Sequence, residues 1–117
     1  EKNDCARAST DFSQAVKLDP KNANAFNARG TCYLAANDDE RGFQDLEAAI
    51  KLNPNLASAY FTRGMARYDR HDYDRAIADL SQAMRLDPRN VMAANGRALA
   101  YRERRDYDRP SPTSIRR

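Results

Sequence analysis

A repeat of 34 residues constrains the fold of this chain more than any other feature. Shifts by this period superpose two sets of dipeptides: Asp19-Pro20, Asn53-Pro54 and Asp87-Pro88, and Arg29-Gly30, Arg63-Gly64 and Arg97-Ala98. A fixed period of this length is typical of a stacked array of identical units, and it argues against one irregular globule. We take residues 57–90 as the unit.

Each unit contains two stretches with the spacing of an amphipathic helix. Small, apolar and aromatic residues recur at intervals of three and four in both halves of residues 57–90, so each half has a face suited to burial. Pro88 cannot continue a helix and therefore ends the unit. The pattern predicts an all-α fold with helices over residues 5–18, 23–37, 39–52, 57–70, 73–86 and 91–105. Within a unit we call the earlier helix first-type and the later one second-type.

Polar residues at the predicted helix starts fix the frame of the repeat. An aspartate returns every 34 residues before each second-type helix, at Asp4, Asp38, Asp72 and Asp106, and Asn90 stands before a first-type helix. These side chains are good N-caps. Gly30 and Gly64 lie inside helices, where glycine costs about 1 kcal/mol against alanine, and this predicts a close helix crossing.

The pattern of residues resembles the tetratricopeptide repeat (TPR) family. The matching residues are Phe26, Gly30, Tyr33, Leu46, Ala49 and Pro54 in one copy, and Tyr60, Gly64, Ala76, Leu80, Ala83 and Pro88 in the next. The departures are Gly42, Arg67 and Pro110, where the family usually has alanine, an aromatic residue and alanine. The resemblance implies an all-α superhelix of antiparallel helix pairs, bacterial in style.

The repeat frame divides the chain into an array and a tail. The array covers residues 1–109, with a half repeat (1–22), two full repeats (23–56 and 57–90) and a partial repeat (91–109). Residues 110–117 hold two prolines and are predicted to be a disordered basic tail.

Composition excludes several classes of protein. The chain of 117 residues is 41% hydrophobic and 32% charged, and it contains no run of about twenty apolar residues, so we expect no membrane contact. Its net charge of +3 comes from the carboxyl-terminal arginines, and a solvated helix end is a better reading than a nucleic-acid site. No signal peptide is visible. A cytoplasmic location is favoured, and a periplasmic one is compatible with a removed signal peptide.

The chemistry-bearing residues do not form a catalytic or metal motif. The only histidine, His71, stands among aspartates in a predicted turn, but these are better explained as a cap and its neighbours. Cys5 and Cys32 lack CxxC spacing. Parallel helix levels put Ser9, not Cys5, beside Cys32, so we predict two small buried thiols and no bridge. We expect no enzyme activity, no cofactor and no metal.

The remaining functional surface is the one that the resemblance implies, the concave face lined by first-type helices. A TPR protein binds an extended peptide or a partner helix there, so we predict a non-catalytic interaction scaffold. The predicted peptide-binding residues are Asn24, Asn27, Thr31, Phe61, Met65, Tyr68, Asn95 and Leu99. Phe61, Met65 and Tyr68 form a stripe that fits an apolar anchor or, equally, core packing between repeats.

The partner is not named by the sequence. One subset of the family clamps the terminal carboxylate of heat-shock chaperones with lysine, arginine and asparagine side chains. The matching positions here carry Asn27, Thr31, Thr62, Met92 and Gly96, so no pair of cations faces a carboxylate. A chaperone carboxyl terminus is therefore disfavoured.

A second periodic series consists of charges: Asp11, Asp45 and Asp79 alternate with Arg29, Arg63 and Arg97 at fixed offsets. Helix levels place each arginine beside an aspartate of its own repeat and beside one of the preceding repeat. Both pairings stay open, and a buried ladder would lock the stacking register.

The alternative function is self-association through the ends of the array. Ala94, Ala98 and Tyr101 lie on the face that a second-type helix would cover, and Pro110 and Pro112 prevent the next segment from supplying one. A symmetric dimer or head-to-tail stacking on the half repeat would bury this face. Repulsion between arginines predicts weak association that strengthens with salt.

Overall fold

The computed structural model describes residues 2–108, and every regular element in that range is an α-helix. The six helices are α1 Lys2–Leu18, α2 Ala23–Ala35, α3 Asp39–Leu52, α4 Ala57–Asp69, α5 Tyr73–Leu86 and α6 Val91–Asp108. The predicted all-α fold is therefore confirmed, and the interior helix bounds differ from prediction by no more than two residues.

Local side-chain chemistry sets most of these bounds. Asn22 and Asn90 each accept a hydrogen bond from the backbone N–H three residues later, at 3.0 Å. Asp38 caps α3 through the Arg41 N–H at 3.3 Å. Residues with positive φ, Asn37 (64°) and His71 (66°), turn the chain between the helices of each full repeat. The short turns therefore hold each helix antiparallel to the next.

The other predicted aspartate caps need correction. Asp4 lies inside the first turn of α1, which already begins at Lys2. Asp72 precedes α5, but its side chain makes no capping hydrogen bond. Asp106 lies within α6, which runs on to Asp108 because the first-type helix continues past the point where its turn was expected. Residues 110–117, the predicted tail, lie outside the described range.

The two interior helix pairs, α2 with α3 and α4 with α5, cross closely at their glycines. A Cβ on Gly30 would lie 2.9 Å from the Gly42 carbonyl oxygen, and one on Gly64 would lie 2.9 Å from Leu80 Cγ. Gly42 replaces the usual alanine because a Cβ there would meet Leu34 Cγ at 2.6 Å. Close approach thus offsets the helix-breaking tendency of these glycines.

The core is a row of small clusters along the stack. Leu46 and Leu80 are its largest fully buried side chains, and each packs with alanines of its own pair and of the next first-type helix. The radius of gyration is 16.3 Å, against about 13 Å for a globular domain of this length. The molecule is therefore an elongated two-layer array, 61 × 29 × 21 Å.

The array curves toward its first-type helices. Helices α2, α4 and α6 contact their neighbours of the same type, whereas α1, α3 and α5 do not contact one another within residues 2–108. One side of the stack is therefore drawn closer together than the other. The first-type helices line the concave side.

Cys5 and Cys32 form a disulfide between α1 and α2, so the prediction of two free buried thiols was wrong. Their Cα atoms are 5.2 Å apart, within the usual range for a bridge. The prediction failed because it treated the axes as parallel, whereas crossing helices meet at residues one turn from the matching level. The repeat register held the missing signal: 68 residues on, the equivalent pair Tyr73 and Ala100 shares one core cluster.

Helix α1 buries less than the sequence pattern predicts. Phe12, Ala15 and Val16 are half-buried, but Leu18, expected to face inward, is 76% exposed. Within residues 2–108, α1 packs on α2 alone, so no second helix covers the side of Leu18.

Candidate functional site

The candidate site is the concave face, where α2, α4 and α6 lie side by side. The Asn27 amide nitrogen donates to Ser58 Oγ at 3.0 Å and ties α2 to α4. Gly96 brings α6 close to α4, because a Cβ at that residue would lie 2.7 Å from Met65 Sδ. Three helices of different repeats therefore present one continuous surface.

The eight predicted peptide-binding residues fall into two groups by exposure. Asn24, Thr31, Asn95 and Leu99 are exposed, while Asn27, Phe61, Met65 and Tyr68 are half-buried. Thr31 uses its hydroxyl to donate to the Asn27 carbonyl at 2.8 Å. Buried Asn27 Oδ1 accepts no hydrogen bond from any described residue. The exposed group offers polar contacts spread over α2 and α6.

The stripe of Phe61, Met65 and Tyr68 lies at the seam between the second full repeat and α6. Phe61 and Met65 pack against the buried cluster of Leu80, Ala83 and Ala93. Tyr68 packs against the cluster around Tyr73, whose ring it meets edge-on at a centroid distance of 5.7 Å. Both interpretations of the stripe meet here, since part of each side chain is packed and part faces the concave side.

An open cavity of about 420 Å³ lies at the α6 end of this face, lined by Asn95, Ala98, Leu99 and Arg102. Asn95, Leu99 and Arg102 stand one period after Phe61, Met65 and Tyr68. The positions that seat α6 on α4 are thus uncovered on α6 within the described chain. This cavity pairs an apolar side chain with a guanidinium and an amide.

The predicted charge ladder is present, and it chooses the pairing within each repeat. Arg29 donates from Nε and Nη2 to Asp45 at 2.7 and 2.9 Å, and Arg63 binds Asp79 in the same way at 2.9 Å for both bonds. Both carboxylates are buried. Hydrogen bonds from these carboxylates raise the pKa of Arg29 and of Arg63 above the ordinary arginine value.

Arg67, which departs from the family's aromatic residue, joins this ladder. Its Nη1 donates to Asp79 at 3.0 Å, so one carboxylate holds two guanidiniums. Arg67 also lies over the ring of Phe43, 5.7 Å from its centroid, as does Arg70 at 5.9 Å. A cation thus occupies the aromatic position by stacking on another aromatic residue.

Arg70 and Asp39 form a link between the two full repeats that the sequence analysis did not find. Arg70 Nε donates to Asp39 Oδ2 at 2.7 Å, and Nη2 bonds to Oδ1. The bond from Arg70 lowers the pKa of Asp39 below its ordinary value, and that from Asp39 raises the pKa of Arg70. Their spacing, one period less three residues, is the signal that could have revealed the pair.

The region of His71 is a turn with its own contacts. His71 Nδ1 lies 2.7 Å from the Tyr73 hydroxyl, and the two rings meet edge-on. Within the described side chains, no three His, Cys, Asp or Glu residues come together as a metal site. No helix in residues 2–108 has the length and apolar character needed to span a membrane.

Comparison with known proteins assigns these helix pairs to a family. The family model for the tetratricopeptide repeat matches residues 1–57 and 61–109. A search of curated proteins finds no significant match.

Several solved structures share the fold. The Sgt2 TPR domain from Aspergillus fumigatus superposes with a TM-score of 0.85 at 22% identity, covering 93% of this chain and 74% of that one. The Arabidopsis OM64 TPR domain gives 0.80 at 26% identity, with 86% and 83% covered. The first TPR of Spaghetti (RPAP3), bound to an HSP90 peptide, gives 0.81 at 23% identity, with 86% and 80% covered.

Proposed function

Since the chain belongs to the tetratricopeptide repeat family, we propose that it is a non-catalytic interaction scaffold that binds a peptide or partner helix on its concave face. The observation that carries the proposal is the continuous surface of α2, α4 and α6, joined by the Asn27–Ser58 hydrogen bond. Exposed amides and hydroxyls on this surface can pair with the backbone of an extended peptide.

The chemistry of the surface favours a partner with polar backbone contacts and an apolar side chain. Asn24, Thr31 and Asn95 supply donors and acceptors, and Leu99 beside Arg102 supplies an apolar wall with one cation. Two TPR domains of RPAP3 with this fold hold peptides of HSP90 and HSP70. This chain carries Thr62, Met92 and Gly96 at three of the clamp-matching positions, so we do not extend those partners to it.

The exposed residues give the sharpest test, because replacing half-buried Phe61 or Tyr68 would disturb packing as well as binding. Thr31→Arg places a long charged side chain on the concave face without removing a buried group. Gln44→Arg makes a comparable change at an exposed position of α3. Partners would be captured from a source lysate with each protein and then measured by calorimetry.

We expect Thr31→Arg to weaken the captured partner by about tenfold or more while Gln44→Arg binds as the native chain does. Melting temperatures of both variants should stay close to that of the native protein. Equal loss in both variants, or loss in neither, would place the binding surface elsewhere.

A further inference from the structure

The two interior helix pairs are built on the same few positions. The first-type helix brings an arginine followed by glycine, and the second-type helix brings an aspartate, a leucine and an alanine spaced as Asp45, Leu46 and Ala49. In both pairs the aspartate is nearly buried, and the leucine and alanine are completely buried. These positions form the interface that makes a repeat.

Helix α1 carries the second-type half of this interface without a first-type helix over it. Asp11, Phe12 and Ala15 stand at the positions of Asp45, Leu46 and Ala49. Here Asp11 is exposed, and Phe12 and Ala15 are only half-buried. Asp11 makes no ion pair with any side chain that the structure describes.

Helix α6 carries the first-type half. Arg97 and Ala98 match Arg63 and Gly64, and on the same face Ala98 and Tyr101 are exposed. Arg97 donates from Nη1 to Ser81 Oγ at 3.0 Å, as Arg29 does to Ser13 at 3.1 Å. Arg29 then binds its aspartate through Nε and Nη2. On Arg97 those two donors have no acceptor among the described residues.

We propose that a second copy of this chain occupies this end, with α6 of one copy packed against α1 of the next. The contact rebuilds the helix pair of a full repeat: Arg97 forks onto Asp11 of the second copy, and Tyr101 and Ala98 cover Phe12 and Ala15. Charge complementarity selects this occupant, because each end presents the missing member of a bidentate pair whose interior versions are formed.

The geometry also sets the form and strength of the assembly. The two surfaces differ, so the contact is heterologous and each added copy leaves both ends open, which gives head-to-tail chains. Ala98 stands where the interior pairs have glycine, so the helices would sit further apart, and the ring of Phe12 is larger than leucine. A wider pair with one ion pair gives weak, concentration-dependent growth. This inference is independent of the ligand on the concave face.

Charge reversal tests the pairing in the whole chain. Asp11→Arg and Arg97→Asp each oppose like charges at the contact, whereas a mixture of the two variants, or both changes in one chain, restores opposite charges. Glu40→Arg is the matched control, because it makes the same change of charge at an exposed position of α3. Sedimentation equilibrium over a range of concentrations gives the mass, and circular dichroism checks the helix content.

We expect the mass of the native chain and of Glu40→Arg to rise continuously past that of a dimer. Each single reversal should weaken association by about tenfold or more, and the mixture and the double variant should recover it. A monomeric native chain at every concentration would overturn the proposal. So would association that stops at a dimer and is unaffected by Asp11→Arg, since a symmetric contact between two α6 helices does not use α1.

Discussion

The interior helix pairs and the terminal helices carry nearly the same residues, yet only the interior pairs bury them. Leu46 and Leu80 are completely buried, whereas Phe12 at the equivalent position of α1 is half-buried. Arg63 binds a buried aspartate, and Arg97 binds a serine. Burial in a repeat protein is therefore set by the neighbour, because each unit contacts only the next one along the stack.

The terminal helices also differ from one another in what holds them. Helix α1 has no buried side chain among residues 4–18, but the Cys5–Cys32 disulfide links it to α2. Helix α6 has no such link, and it buries Ala93 and Ala100 against the second full repeat. One end relies on a covalent bond and the other on packing.

The largest expected effect breaks the comparison at α1. Replacing Cys5 and Cys32 with serine removes the link over a separation of 27 residues, which is worth about 3 kcal/mol to the helix that it holds. Amide hydrogen exchange in α1 should become roughly a hundred times faster. Exchange in α4 and α5, which do not touch α1, is the internal control. Equal acceleration in those helices would mean that the array unfolds as one unit.

A second effect compares an interior arginine with its terminal equivalent. Arg63→Met leaves the buried carboxylate of Asp79 with Arg67 alone, and this should lower the free energy of unfolding by about 1 to 3 kcal/mol. Arg97→Met removes one hydrogen bond to Ser81 and should cost less than about 1 kcal/mol. Urea denaturation of both variants gives the two values. Equal losses would show that the interior ladder contributes no more than the end does.

The smallest effect sharpens the comparison at the junction of the two full repeats, where Arg70 binds Asp39. The pKa of Asp39 is lowered in the folded protein, so its contribution is complete above the ordinary aspartate pKa and is lost as the pH falls through the folded value. Asp39→Asn should lower the melting temperature slightly at about pH 6 and not at all well below about pH 4. A difference that persists at the lower pH would assign the loss to packing. High salt at neutral pH should also reduce it, because the pair is partly exposed.

The sequence by itself determined the family, the helix bounds and the frame of the repeat. These depend on rules that act over a few residues: apolar spacing of three and four, prolines after Asn53 and Asp87, and asparagine caps at Asn22 and Asn90. Such signals are complete within one helix and its turn. They also brought the ladder residues close enough that two partners remained for each arginine.

Only the tertiary structure decided which of these residues meet. Arg29 takes Asp45 and leaves Asp11, and Cys5 meets Cys32 although parallel levels put Ser9 there. The stripe of Phe61, Met65 and Tyr68 is shared between a seam and a surface. Each outcome depends on the angle at which two helices cross and on whether a further helix lies beside them. Those quantities come from packing between units, and spacing within one unit does not contain them.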